Sequence, residues 1–70
     1  MRLDIAKVKA ALFKCGRQYR DIAKQYGIHF SYIYNAVSGK AEPGRKFFGF
    51  WARFCRDNDL DFLDFVIFDD

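Results

Sequence analysis

The sequence predicts an all-α fold: a single domain over residues 1–70, with four to five short helices around a helix-turn-helix motif. Three observations carry this. Apolar residues recur at three- and four-residue spacing in successive segments. Gly16, Gly27 and Gly39 stand where three of those segments should end, as helix-closing glycines do. The stretch Tyr19–Gly39, YRDIAKQYGIHFSYIYNAVSG, places small and apolar residues as two short helices crossing at a tight turn require.

Residues 4–14 read as an amphipathic helix on Ile5, Val8 and Leu12, with Ala11 and Phe13 beside them. Asp4 is its expected N-cap and Gly16 its stop. A second helix covers about Tyr19–Tyr26, burying Ile22, Ala23 and Tyr26, with Asp21 in the first turn where the helix dipole favours an acid. Gly27 supplies the left-handed residue of the turn. The third helix runs from Phe30 to Val37, closed by Ser38-Gly39.

Lys40 to Gly44 is a loop, and Pro43 suits the first turn of the next helix. That fourth helix, about Gly44–Arg56, gathers Phe47, Phe50, Trp51 and Phe54 on one face, with Phe48, Ala52 and Cys55 as an adjacent stripe. Gly49 inside it costs about 0.8–1 kcal/mol relative to Ala, unless another backbone approaches there. Asp57-Asn58-Asp59 breaks the chain and is expected to cap a short fifth helix from near Leu60. Phe65–Phe68 has strand propensity, and Asp64, Asp69 and Asp70 flank it as gatekeepers. It reads as a short C-terminal strand or arm in a dimer interface, with a continuation of helix five as the alternative.

A core of this size supplies only about 3–5 kcal/mol, so small domains lean on staples, metals or partners. The chain has neither a dense cysteine framework nor a metal-ligand cluster, but 20% of it is Phe, Tyr and Trp. Such aromatic mass points to a homodimer. Cys15 and Cys55 read as free thiols of a reducing cytoplasm. Lys7, Lys9 and Lys14 interrupt the apolar positions of the N-terminal helix, which is not a signal-peptide pattern. No run approaches the ~18 apolar residues of a membrane span, so no membrane partner is expected.

Net charge is +3, but it is unevenly placed. Residues 1–56 carry all twelve Lys and Arg against Asp4, Asp21 and Glu42, a balance of +9, while residues 57–70 carry six Asp and no base, −6. The basic body suits a polyanion; the acidic end must face away from it. The run Asp57-Asn58-Asp59-Leu60-Asp61 begins like a calcium loop, but Phe62 and Phe68 stand where Gly and Glu are required. A single His, no zinc-ligand spacing and no glycine-rich phosphate loop leave no enzyme, metal, cofactor or small-molecule site to nominate.

The segment RDIAKQYGIHFSYIYNAVSGK, with Ala23 at the helix crossing, Gly27 at the turn and Ile28 and Ile33 fixing the second helix, resembles the DNA-binding motif of phage Cro and repressor proteins and of similar small bacterial regulators. The order of helices extends the resemblance over about residues 4–63. Gln18 and His29 depart from it at the two cap positions, Ala36 is smaller than usual and Phe30 bulkier.

The resemblance implies that the third helix enters the major groove, with His29, Phe30, Ser31, Tyr34, Asn35 and Ser38 towards the bases. Asn35 is the strongest reader, because its amide can pair adenine with two hydrogen bonds. Phosphate contacts are expected from Gln18, Tyr19, Arg20, Tyr32, Lys40, Arg45 and Lys46. Dimerisation is expected through the acidic-apolar segment about 57–70 and its neighbours: Phe48, Cys55, Leu60, Phe65, Ile67 and Phe68. The expected function is a homodimeric repressor of phage or mobile-element type, acting in the cytoplasm on an approximately palindromic double-stranded DNA operator, with half-sites about 34–36 Å apart. Two alternatives stand beside it. One is a protein-interaction module, such as an antirepressor or an inhibitor of a host protein, using the aromatic third helix. The other is a DNA-bending excision accessory factor.

Overall fold

The computed structural model describes residues 2–68. Along the chain come strand β1 (Arg2–Leu3), helices α1 (Ile5–Cys15), α2 (Tyr19–Tyr26), α3 (Phe30–Val37) and α4 (Arg45–Asp57), a single 3-10 turn (Phe62–Phe65) and strand β2 (Val66–Ile67). The fold is therefore mostly helical, with one short strand pair.

Local chemistry explains most of the boundaries. The Asp4 carboxylate accepts from the Lys7 amide at 3.3 Å and starts α1. At Gly27, φ is +68°, and the Ile28 amide turns back to the Ala23 carbonyl at 3.0 Å, which ends α2 and turns the chain into α3. The end of α3 repeats this device: Gly39 is left-handed and the Lys40 amide reaches the Asn35 carbonyl at 3.0 Å.

The core is aromatic and belongs to α4. Phe47, Phe50, Trp51, Phe54 and Cys55 are buried against Val8 and Leu12 of α1, Ile22 and Ala23 of α2, and Ile33, Ala36 and Val37 of α3. Trp51 stacks on Phe54 with centroids 5.0 Å apart and packs edge-to-face with Phe65 at 5.1 Å. Its Nε1 is buried without a hydrogen-bond partner among the described residues, at a cost of about 1–3 kcal/mol. Cys15 and Cys55 are both free thiols. Burial, with Asp61 nearby, pushes the Cys55 thiol up to about 11.

Several expectations are corrected. Asp57-Asn58-Asp59 closes α4 rather than opening a fifth helix. Asp59 takes a left-handed φ of 60°, the Leu60 amide returns to the Cys55 carbonyl at 2.8 Å, and Asn58 Nδ2 donates to the Phe54 carbonyl at 2.8 Å. In place of a fifth helix the chain makes only the 3-10 turn, capped by Asp61, whose carboxylate accepts from the Leu63 amide at 3.0 Å. Pro43 precedes the α4 cap, Gly44, instead of entering the first turn. Gly49 faces open space, with no atom within 4 Å of where a Cβ would stand, so no backbone approach explains it.

The C-terminal strand exists, but it pairs within the chain. Arg2 lies opposite Ile67 and Leu3 opposite Val66 in an antiparallel ladder, and the Asp4 amide donates to the Phe65 carbonyl at 2.7 Å. An edge was available at the chain's own start, and Leu3 is buried by using it. Asp69 and Asp70, expected to flank this strand, lie outside the described residues.

Candidate nucleic-acid interface

Burial of Ile33, Ala36 and Val37 against the core fixes the rotation of α3. At about 100° per residue, the opposite face is then centred on Ser31, Asn35 and Ser38, with Phe30 and Tyr34 on one flank and Tyr32 on the other. Phe30, Tyr32 and Tyr34 are all exposed. Ser31 and Asn35 are half-buried, because the α3–α4 loop folds beside them. Together with Tyr32, Glu42, Arg45 and Lys46 they line a groove of about 420 Å³. The Asn35 side-chain amide has no hydrogen-bond partner among the described residues, although its backbone carbonyl receives the Lys40 and Ala41 amides.

Each exposed ring of α3 carries a cation. The Arg20 guanidinium lies 5.5 Å from the centre of Phe30, Lys40 Nζ 5.1 Å from Tyr34, and Lys46 Nζ 5.6 Å from Tyr32. The rings hold long, flexible cations around the helix without neutralising them. Among the described residues the single ion pair is Arg56–Asp57, so no carboxylate engages Arg20, Lys40, Arg45 or Lys46.

The helix starts divide into two kinds. The N-cap side chains of α1 (Asp4) and α3 (His29) accept a backbone amide, whereas that of α2 (Gln18) does not and the N-cap of α4, Gly44, has no side chain to do so. The two open starts border α3 in sequence on either side, and each carries a basic residue in its first turn, Arg20 or Arg45 and Lys46. Unfilled amides at a helix start attract anions. Exposed His29 caps the helix: Nδ1 accepts from the Ser31 amide at 3.2 Å, lies 2.8 Å from Ser31 Oγ, and the ring stacks on Phe30 at 4.9 Å. It is thereby committed to shaping the helix start as well as facing outward.

The six residues expected to read bases all lie on α3 and its two caps. The phosphate-contact residues divide: Gln18, half-buried Tyr19 and Arg20 line one groove with Phe30, while Tyr32, Arg45 and Lys46 line another with Asn35, and Lys40 rests on Tyr34. Ser38 Oγ bonds back to the Asn35 carbonyl at 3.4 Å and remains exposed. The dimer residues do not form one surface. Cys55 and Phe65 are buried in the chain's own core, and half-buried Ile67 pairs its backbone with Arg2 in the in-chain ladder. Phe48 is half-buried, its ring 6.4 Å from Phe62. Leu60 and Phe68 are exposed, and so is Leu63, which the periodicity did not single out.

Two further features were missed. Phe13, read as a neighbour of the core stripe, is 84% exposed, because it stands about 100° round α1 from buried Leu12. Arg17 joins it at the edge of the α2 start. The helical angle of Phe13 was the available signal. Among the described residues no helix is long and apolar enough to cross a membrane. No protein-family model, curated protein or solved structure matches the chain.

Proposed function

We propose that this chain is a Cro-like or repressor-like DNA-binding regulator, with α2 and α3 as its helix-turn-helix and α3 as the helix that enters the major groove. The supporting observation is the set of cations around α3: Arg20, Lys40 and Lys46 each rest on an exposed ring of α3, none engaged by a carboxylate among the described residues. Phosphates supply the missing counter-charge, and the open starts of α2 and α4 add backbone donors on both sides. Between them the Asn35 amide is free to pair adenine, with Ser31 beside it.

The chain acts as a homodimer on an approximately palindromic operator, in the cytoplasm, as a repressor of phage or mobile-element type. Exposed Leu60, Leu63 and Phe68, all outside the α3 face, offer apolar surface to a second copy. A protein-interaction role has its own support in the exposed Phe30, Tyr32 and Tyr34, since aromatic anchors dominate interface hot spots. The two readings separate on one experiment: selection from random duplex DNA at physiological salt, followed by titration of the recovered sequence against Asn35→Ala. A recovered palindrome weakened by the substitution supports the regulator. Folded protein that enriches no sequence overturns it and leaves the aromatic face to a protein.

A further inference from the structure

Single exposed apolar residues are ordinary. Phe13 differs in its surroundings. It lines an open groove of about 640 Å³ whose other walls include Arg17, Gln18, Tyr19 and Arg20 at the start of α2 and Phe30 at the start of α3. No acid lines this groove. Arg20 and Phe30 are the stacked pair already placed on the α3 face, so the groove is continuous with the proposed DNA surface. An apolar partner segment would cover Phe13 and strand two guanidinium groups. A duplex offers phosphates to the arginines and apolar sugar and base surface to the phenyl ring.

We propose that this groove seats the phosphodiester strand bordering the major groove read by α3, and that Phe13 reaches beyond that strand into the adjacent minor groove as an apolar wedge. The inference rests on the DNA-binding reading and deepens it. Major and minor grooves lie on opposite sides of every strand. With α3 on the major-groove side of a strand held at the start of α2, the wedge places Phe13, in the last turn of α1, on the minor-groove side. A phenyl ring pressed into a base step partly unstacks it and bends the duplex by about 20–90° towards the major groove. Pyrimidine–purine steps give way most easily, so Phe13 selects for such a step just outside the half-site without any hydrogen bond to it.

The test uses the duplex recovered by selection, labelled at both ends for energy transfer, with the wild-type chain and Phe13→Ala. Phe13 is 84% exposed, so the substitution leaves thermal unfolding unchanged. The expected result is a bent complex with the wild type. Phe13→Ala reduces the bend, weakens binding about tenfold and keeps the dependence on Asn35. Replacing the flanking pyrimidine–purine step by a stiff A-tract weakens the wild type and not Phe13→Ala. Equal bend and equal affinity for the two proteins overturn the wedge and leave the groove to an acidic peptide. A wild type that binds no duplex overturns the DNA reading itself, and the wedge with it.

Discussion

Tyr26 Oη donates a hydrogen bond of 2.7 Å to Asp57 Oδ2, tying the last residue of α2 to the last residue of α4. The Tyr26 ring also packs edge-to-face with Phe50 at 5.3 Å and carries the Arg53 guanidinium at 5.7 Å. The helix before the turn is thereby clamped to the core helix.

This clamp predicts a pH dependence at both extremes. Burial, and then the bond to Asp57, push the Tyr26 hydroxyl up to about 12 from 10.0. The bond to Tyr26 holds the Asp57 carboxyl below its ordinary value, assisted by Arg56. A raised folded-state value gives stability that is complete below pH 10.0 and lost as pH climbs towards 12. A depressed one gives stability present above 3.8 and lost as pH falls below it. Tyr26→Phe should flatten both flanks, read from the fluorescence of Trp51 in denaturant titrations across pH. Parallel curves for the two proteins would remove the clamp from the account.

Base reading and phosphate binding separate by salt. Asn35→Ala should lose about 1–3 kcal/mol of discrimination at one base position and leave the salt dependence unchanged. Lys40→Gln, Arg45→Gln and Lys46→Gln should each lower the logarithmic salt slope by about 0.9 and weaken all sequences alike. A sequence-dependent loss in these variants would place those side chains at bases instead.

Two exchanges of opposite chemistry should both stabilise the fold. Gly49→Ala gains about 0.8–1 kcal/mol, since it lies within α4 with open space for a Cβ. Asp59→Gly relieves a left-handed residue at the end of α4 and gains up to about 1 kcal/mol. Thermal unfolding checks both. A lowered Tm for Gly49→Ala would mean that the open space is occupied in solution, by a second copy or by a ligand.

The C-terminal segment should matter for folding before it matters for assembly. Truncation after Arg56 removes Phe65 from Trp51 and deletes β2, so the expected outcome is loss of the cooperative transition, about 3–5 kcal/mol for the buried aromatic alone. The surface pair Leu63→Lys with Phe68→Lys keeps the core and should shift sedimentation from dimer to monomer. A dimer that survives the pair would move the interface elsewhere on the chain.

Sequence alone determined the four helices and the closures at Gly16, Gly27 and Gly39, because these depend on contacts within one turn: side-chain caps, left-handed glycines and apolar spacing. With the resemblance to phage Cro and repressor proteins, it also placed Phe30, Tyr34 and Ser38 on the outward side of α3, where they are exposed, away from the anchoring Ile33. The tertiary structure decided what depended on distant residues. The strand-forming end finds an edge at Arg2–Leu3, at the opposite end of the chain, and no local pattern announces that pairing. Cys55 and Phe65 became core, and not interface, because Trp51 and its neighbours needed covering on that side. The cations on the α3 rings come from α2, the α3–α4 loop and α4, so only the packing of those elements could assemble them. Local interactions set the elements; non-local burial and pairing set what each surface was left to do.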